Sequence, residues 1–101
     1  MGWRVELTAN SETELRETFK KGLINTGDIS ILKKWVSEVE TLGIEATQLN
    51  RTWRDHELMG KWKGHRSMTF SFKGRLIYRI EHDVVVVRVV RITAEDLWVA
   101  G

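Results

Sequence analysis

The sequence of 101 residues contains no cysteine and no proline. The lack of cysteine excludes disulfide bonds and thiolate chemistry, and the lack of proline means that glycine and polar residues must form the loops. No run approaches the roughly 18 apolar residues that a membrane-spanning helix needs, and the longest, at residues 84–87, has the length of a strand. Because the N-terminus also lacks the apolar core and cleavage site of a signal peptide, the sequence predicts a cytoplasmic protein.

Positive charge is concentrated in the second half of the chain. Residues 1–50 contain six Lys or Arg against eight Asp or Glu, whereas residues 51–101 contain ten against six. A basic half on a chain short enough to form one domain over residues 1–101 suggests a polyanionic partner. A solvated surface that happens to be basic is the alternative.

Hydrophobic periodicity predicts the element order β-α-α-β-β-β. Ser11 and Glu14 have the spacing of a capping box, which predicts a helix from Ser11 to about Lys21. A second helix is predicted from Asp28 to Leu42, with Gly43 as the residue that closes it. The remaining predicted elements are a first strand over residues 3–7, an aperiodic connection over 49–65, strands over 67–72, 75–81 and 84–92 joined by tight turns, and a short helical turn over 94–99.

These elements predict an α+β fold in which the two N-terminal helices pack on one face of a curved antiparallel sheet. The three C-terminal strands form a meander, and its apolar face has no cover other than the two amphipathic helices. The opposite face of the sheet is then available for polar function.

Three arginines of the predicted strands are candidates for binding phosphate. Arg66, Arg75 and Arg91 can form a cluster, because guanidinium groups bind phosphate oxygens in a bidentate manner. Strict alternation places Arg91 in an otherwise apolar series of the last strand, which we interpret as the end of the sheet opening to solvent. The alternative is charged decoration of the sheet, with Glu81 and Asp83 as neighbours.

The connection contains two histidines among basic and aromatic residues. Histidine side chains in general titrate near neutrality, so His56 and His65 are candidates for transferring a proton during phosphodiester cleavage. Lys61 and Lys63 can stabilise negative charge, and Trp62 can stack on a base. Ordinary surface histidines and a tryptophan that closes the core edge are the alternative. The three histidines of the chain lack metal-ligand spacing, so we expect no metal and no cofactor.

The second half of the chain resembles the RelE/ParE superfamily of bacterial toxins. The similarity is carried by DHELMGKWKGHR at residues 55–66, GRLIYRI at 74–80 and VVRI at 89–92. The combined pattern is most similar to the YafQ branch and extends over residues 55–98, and the predicted element order agrees with the rest of the fold.

The resemblance implies a microbial RNase-like fold and an mRNA interferase that cuts mRNA in the decoding site of the 30S ribosomal subunit. In such toxins the 2′-hydroxyl attacks the adjacent phosphate without a metal, and a cognate antitoxin blocks the basic surface in a hetero-oligomer. It implies that Arg66, Arg75 and Arg91 hold the scissile phosphate and that His56 transfers a proton. The residues expected to bind RNA are Lys61, Trp62, Lys63, His65, Lys73 and Trp98.

The chain departs from the pattern of this superfamily at two places. The tail at residues 93–98 contains no histidine or tyrosine, and the second-strand histidine of the YafQ branch falls on Thr69. Glu95 is the substitute proposed for proton transfer, and Trp98 the substitute for a stacking tyrosine. An incomplete acid/base set leaves two alternatives open, a ParE-like gyrase inhibitor and a catalytically weakened RNA-binding toxin.

Overall fold

The computed structural model of the chain describes residues 2–72 and 74–92. The predictions made for Lys73, for the helical turn over 94–99 and for Glu95 and Trp98 lie outside the described residues. The elements are β1 (Arg4–Leu7), α1 (Ala9–Lys20), α2 (Thr26–Leu42), α3 (Ile44–Leu49), β2 (His56–Glu57), β3 (Arg66–Thr69), β4 (Gly74–Glu81) and β5 (Val84–Ile92), with 3₁₀ turns at Arg51–Trp53 and Gly60–Trp62.

The strands form one sheet in the order β1-β5-β4-β3-β2. The pairs β3/β4 and β4/β5 are antiparallel, as the meander predicts. The sheet is nevertheless mixed, because β1 pairs with β5 in parallel. The sequence did not predict β2, since two residues are too few to show an alternating pattern, and β2 forms a hairpin with β3 inside the connection that was expected to be aperiodic.

The N-terminus of α1 lies against the edge of β5, and its predicted capping box is wrong. Thr8 is the N-cap residue, and its hydroxyl accepts a hydrogen bond from the Ser11 N–H at 3.1 Å. Ser11 Oγ instead donates to the Val87 carbonyl at 3.0 Å, and Glu14 Oε1 accepts from the Val90 N–H at 3.0 Å. Because β1 ends opposite Val87, α1 satisfies the polar backbone of β5 that β1 leaves open.

Helix α2 has well-defined ends. It begins two residues earlier than predicted, because Asn25 is the N-cap and forms a reciprocal capping box with Asp28. The helix ends at Gly43, as predicted, where φ of 92° is a conformation that favours glycine. A buried stripe on α2, formed by Leu32, Trp35 and Val39, faces the sheet.

A β-bulge in β5 determines which side chains face the core. Tyr78 pairs with Val87, but Ile77 pairs with Val89, so Arg88 is the extra residue. An extra residue shifts the alternation by one, so the positions after Arg88 change face. The prediction that Arg91 shares a face with the buried valines of β5 is therefore wrong, and Arg91 lies on the side of the sheet away from the helices.

The helices cover one face of the sheet and enclose the main core, as predicted. Trp35 and Tyr78 are at its centre, with ring centroids 5.7 Å apart. The buried residues of this core are Ile24, Leu32, Trp35, Val39, Ile44, Trp53, Met68, Phe70, Leu76, Tyr78, Val85, Val87 and Val90. Among the described residues, every helix is too short or too polar to cross a bilayer.

Candidate functional site

The face of the sheet opposite the helices, here called the outer face, collects most of the described candidate residues. Directly opposed residues of neighbouring strands share a face. One row across the outer face contains His56, Ser67 and Ile77. The next row, toward the end of the sheet where β5 finishes, contains the cross-strand neighbours Thr69, Arg75 and Arg91.

The row of Thr69, Arg75 and Arg91 has the chemistry of an anion site. Arg75 and Arg91 oppose each other directly, and such pairs have Cβ atoms roughly 5 Å apart. Arg75 is only 6% exposed, whereas Arg91 is partly exposed, so Arg91 is the more accessible of the two. Two adjacent guanidinium groups create a positive potential suited to a phosphate, and the neighbouring Thr69 adds a hydroxyl donor.

Arg66 does not join this row. It opposes Tyr78 across β3 and β4, which places it on the helix side of the sheet. Its Nε donates to Asp55 Oδ1 at 2.6 Å, and the Tyr78 hydroxyl donates to the other carboxylate oxygen of Asp55. The expected convergence of three arginines on one phosphate is therefore wrong for Arg66, because this arginine is committed to an internal ion pair.

The contact between these three residues shifts two pKa values. Burial lowers the pKa of Arg66, but the hydrogen bond and the charge of Asp55 outweigh burial, so that the pKa is raised. Burial is also the largest cause for Tyr78, and the negative charge of Asp55 adds to it, so the pKa of Tyr78 is raised well above its ordinary value. Tyr78 therefore stays a neutral donor and Arg66 a cation at any physiological pH.

Further polar contacts hold the connection between α2 and β3 against the helix side. Glu38 of α2 accepts a hydrogen bond from the Trp53 indole at 2.9 Å and from the Asn50 amide at 3.2 Å. With the Asp55 network, these contacts fix both ends of the segment that precedes β2. The connection predicted to be aperiodic is thus held at both ends by polar contacts. No pattern in the sequence predicted that the side chain of Asp55 would be fully buried.

His56 follows Asp55 and lies on the opposite face of the sheet. Its ring is exposed, and Nδ1 is 3.1 Å from the Arg54 carbonyl. Because a carbonyl can only accept, Nδ1 is the donor in this contact, and Nε2 is the ring nitrogen left for another partner. With about 4.8 Å per strand and 3.3 Å per residue, the Cα atoms of His56 and Arg75 are about 12 Å apart. Arg91 lies one strand further, so its Cα atom is about 16 Å from that of His56, and a phosphate reached by both would lie between them, over Arg75.

The remaining described candidates lie in the hairpin between β2 and β3. Lys61 and Lys63 are exposed, as RNA contacts would have to be. Trp62 is partly buried and packs edge-on against His65, with ring centroids 5.1 Å apart. Among the described residues, neither buried ring nitrogen of His65 has a hydrogen-bond partner. His65 and Trp62 thus pack against each other. This contact favours the alternative to RNA binding stated above, in which the tryptophan closes the edge of the core.

Similarity to solved structures identifies the class of fold. The chain is similar to the crystal structure of YafQ from E. coli strain BL21(DE3), with a TM-score of 0.67, 16% identity and coverage of 92% of this chain and 96% of that chain. It is also similar to the E. coli DinJ–YafQ toxin–antitoxin complex (0.66, 18%, 94% and 97%) and to the YoeB–YefM complex from Staphylococcus aureus (0.66, 10%, 90% and 97%). The fold is therefore that of the RelE-like toxins.

A family model places the chain more narrowly. The model described as bacterial toxin of type II toxin-antitoxin system, YafQ, matches residues 11–97. The chain belongs to this YafQ toxin family, which confirms the predicted superfamily and the predicted class of toxin. A search of individual curated proteins gave no significant match.

Proposed function

We propose that this YafQ-family toxin is a metal-independent endoribonuclease that cuts messenger RNA in the ribosomal decoding site and so inhibits translation. The observation that carries the proposal is the pair Arg75 and Arg91, which oppose each other on the outer face of a toxin fold. Within residues 2–72 and 74–92, no three His, Asp or Glu side chains are grouped closely enough to hold a metal ion. The chemistry proposed here uses protein groups alone.

The reaction needs one phosphate site and two proton transfers. The 2′-oxygen forms a bond to the adjacent phosphorus, and the bond from phosphorus to the 5′-oxygen breaks. The products are a 2′,3′-cyclic phosphate and a 5′-hydroxyl. One proton leaves the 2′-hydroxyl and another reaches the 5′-oxygen, and His56 Nε2 can serve one of these transfers. Glu95, the candidate from the sequence, is assigned to the other.

Arg91 and Arg75 supply electrostatic stabilisation in this proposal. The pentacoordinate transition state carries more negative charge than the bound RNA, so donors fixed in advance stabilise it selectively. Removing one such donor typically costs about 10²- to 10³-fold in rate. Arg91, as the more accessible of the two, contacts the phosphate, and Arg75 stands beside it and strengthens the positive potential.

Two observations favour a weaker enzyme as the second candidate. Thr69 stands beside Arg75, at the position where the resemblance expects a histidine, and a hydroxyl cannot replace an imidazole as a base near neutral pH. Arg66 is also held by Asp55 rather than presented to a substrate. A catalytically weakened toxin that binds RNA would show both features. A ParE-like gyrase inhibitor would share the fold, and it would be distinguished from an endoribonuclease by gyrase–DNA breaks with intact mRNA.

The proposal includes a cognate antitoxin as partner. The DinJ–YafQ and YoeB–YefM structures are complexes of a toxin with its antitoxin. By analogy, an acidic antitoxin segment covers the basic part of this chain in a hetero-oligomer, because opposite charges favour such a docking. Co-expression with the acidic product of a neighbouring gene should relieve the toxicity and yield a stable complex on size-exclusion chromatography.

Expression from a tightly repressed promoter, followed by primer extension on cellular mRNA, tests the function. The wild-type chain should arrest growth and produce cuts in translated reading frames. Arg75→Ala should abolish the cuts, whereas Arg16→Ala on α1, which removes the same charge on the other side of the sheet, should not. Growth arrest with gyrase–DNA breaks and intact mRNA would select the gyrase inhibitor instead. RNA binding without cuts would select the weakened toxin.

A further inference from the structure

Phe72 is an exposed aromatic residue that the packing of the fold does not account for. It lies at the tip of the hairpin between β3 and β4, and 92% of its surface is exposed. Large apolar rings normally gain stability from burial, although single exposed ones are common on protein surfaces. The position of Phe72 bears on its function, because the hairpin continues the part of the sheet that carries Arg75 and Arg91 on the outer face.

Hydrogen bonds close the base of the hairpin that carries Phe72. The Phe70 N–H donates to the Gly74 carbonyl at 2.9 Å, and the Gly74 N–H donates to Ser71 Oγ at 2.8 Å. The Phe70 ring is buried in the main core, and a Cβ atom on Gly74 would lie 2.6 Å from that ring. The base of the hairpin is therefore closely packed, and this packing holds Phe70 and Gly74, the residues that flank the tip, in place.

The position of the ring relative to the arginines suggests an RNA base as its partner. Thr69 and Arg75 each lie three residues from Phe72 along the chain, so the Cα atom of Phe72 is within about 10 Å of the Cα atoms of both. Proteins that bind single-stranded RNA combine cationic groups for the phosphates with exposed aromatic rings on which bases stack. We propose that Phe72 stacks on a base of the RNA whose phosphate is bound beside Arg91.

This inference rests on the proposed function and adds a binding residue to it. Stacking on a single ring makes little distinction between bases, because every base has a π-face. Phe72 thus contributes affinity and the placement of the strand, and it takes no part in proton transfer. Its loss should weaken RNA binding while the folded state keeps its stability, since the ring makes no buried contacts.

Binding of a non-cleavable RNA tests the inference directly. The probe is a single-stranded 2′-O-methyl RNA of about 12 nucleotides, titrated by fluorescence anisotropy at low salt. Phe72→Ala should raise the Kd by about 5- to 100-fold, and Phe72→Trp should restore it. The matched control is Leu49→Ala, which truncates a side chain that is 83% exposed at the end of α3, and it should bind as the wild type does.

The outcomes separate this inference from the proposed function. If the wild type binds RNA and Phe72→Ala binds equally well, the stacking role is refuted and the proposed function stands. If Phe72→Ala loses affinity for the antitoxin but not for RNA, the ring is a protein contact and the inference is also refuted. If the wild type binds no RNA at all, the stacking role is refuted, and the proposed function is then decided by the cleavage of ribosome-bound mRNA alone.

Discussion

Replacing Arg66 by methionine should destabilise the fold strongly, because it breaks the ion pair with Asp55. The Asp55 side chain is 0% exposed and that of Arg66 is 28% exposed. The substitution leaves a buried carboxylate with the Tyr78 hydroxyl as its remaining donor from this network. Removing one partner of a buried pair costs about 3–5 kcal/mol. Water can reach the site of the partly exposed guanidinium, so we expect the lower end, about 3 kcal/mol.

Urea denaturation of four variants measures this contribution. Asp55→Asn keeps the shape of the side chain and should cost less, about 1.5–2 kcal/mol, because the Arg66 guanidinium can turn to solvent. In the double variant no buried charge remains, so the two losses should not add, and the cycle should show a coupling of about 1–3 kcal/mol. Arg79→Met is the control, since it removes an exposed ion pair with Glu81 and should cost less than about 1 kcal/mol.

A small effect would refute this reasoning. If Arg66→Met costs no more than Arg79→Met, and if the cycle is additive, the ion pair contributes little to the fold. Arg66 would then be available for a substrate phosphate, as the resemblance implied. The comparison therefore decides between a structural role and a catalytic role for this arginine.

Three further predictions concern single residues. Tyr78, the sole tyrosine of the chain, has a raised pKa in the folded state, so its contribution to the free energy of unfolding is complete below pH 10 and should fall by about 1.4 kcal/mol per pH unit above it. Urea midpoints measured between pH 9 and 11 should show this decrease in the wild type and not in Tyr78→Phe, and an equal decrease in both would contradict the raised pKa. Gly74→Ala should lower the melting temperature by several degrees, because its methyl group would lie 2.6 Å from the ring of Phe70; an unchanged melting curve would show that the hairpin can relax. Thr69→His should accelerate cleavage of ribosome-bound mRNA by about 10- to 100-fold if a missing base limits the rate, and an unchanged rate would place the proton transfer elsewhere.

The sequence predicted the elements of the sheet better than its faces. Valine-rich content and alternation identified β5 within its observed bounds. The bulge at Arg88 adds one residue to the strand, and no glycine or polar cluster in the sequence marks it. Strict alternation therefore placed Arg91 on the wrong face. The N-terminus of α1 was misplaced for a related reason, because Thr8 and Ser11 both have cap chemistry and tertiary contact with β5 decides between them.

The sequence did contain a signal for the position of Arg66. Arg66 has the same parity as Met68 and Phe70, which are buried in the main core. A charged residue on an apolar face requires a buried partner. Asp55 could not be recognised as that partner, because its place in a polar loop next to His56 is equally compatible with exposure. The pairing depends on how the connection folds back over β3, which periodicity does not report.

The central claim is that the arginine pair on the outer face binds the scissile phosphate. Single-turnover cleavage of ribosome-bound mRNA by purified protein tests it most directly, comparing Arg91→Gln with Arg16→Gln. We expect Arg91→Gln to cut about 10²- to 10³-fold more slowly than the wild type, Arg16→Gln to match the wild type, and the products to end in a 2′,3′-cyclic phosphate and a 5′-hydroxyl. Equal rates for the two variants, or no cleavage by the wild type, would contradict the account.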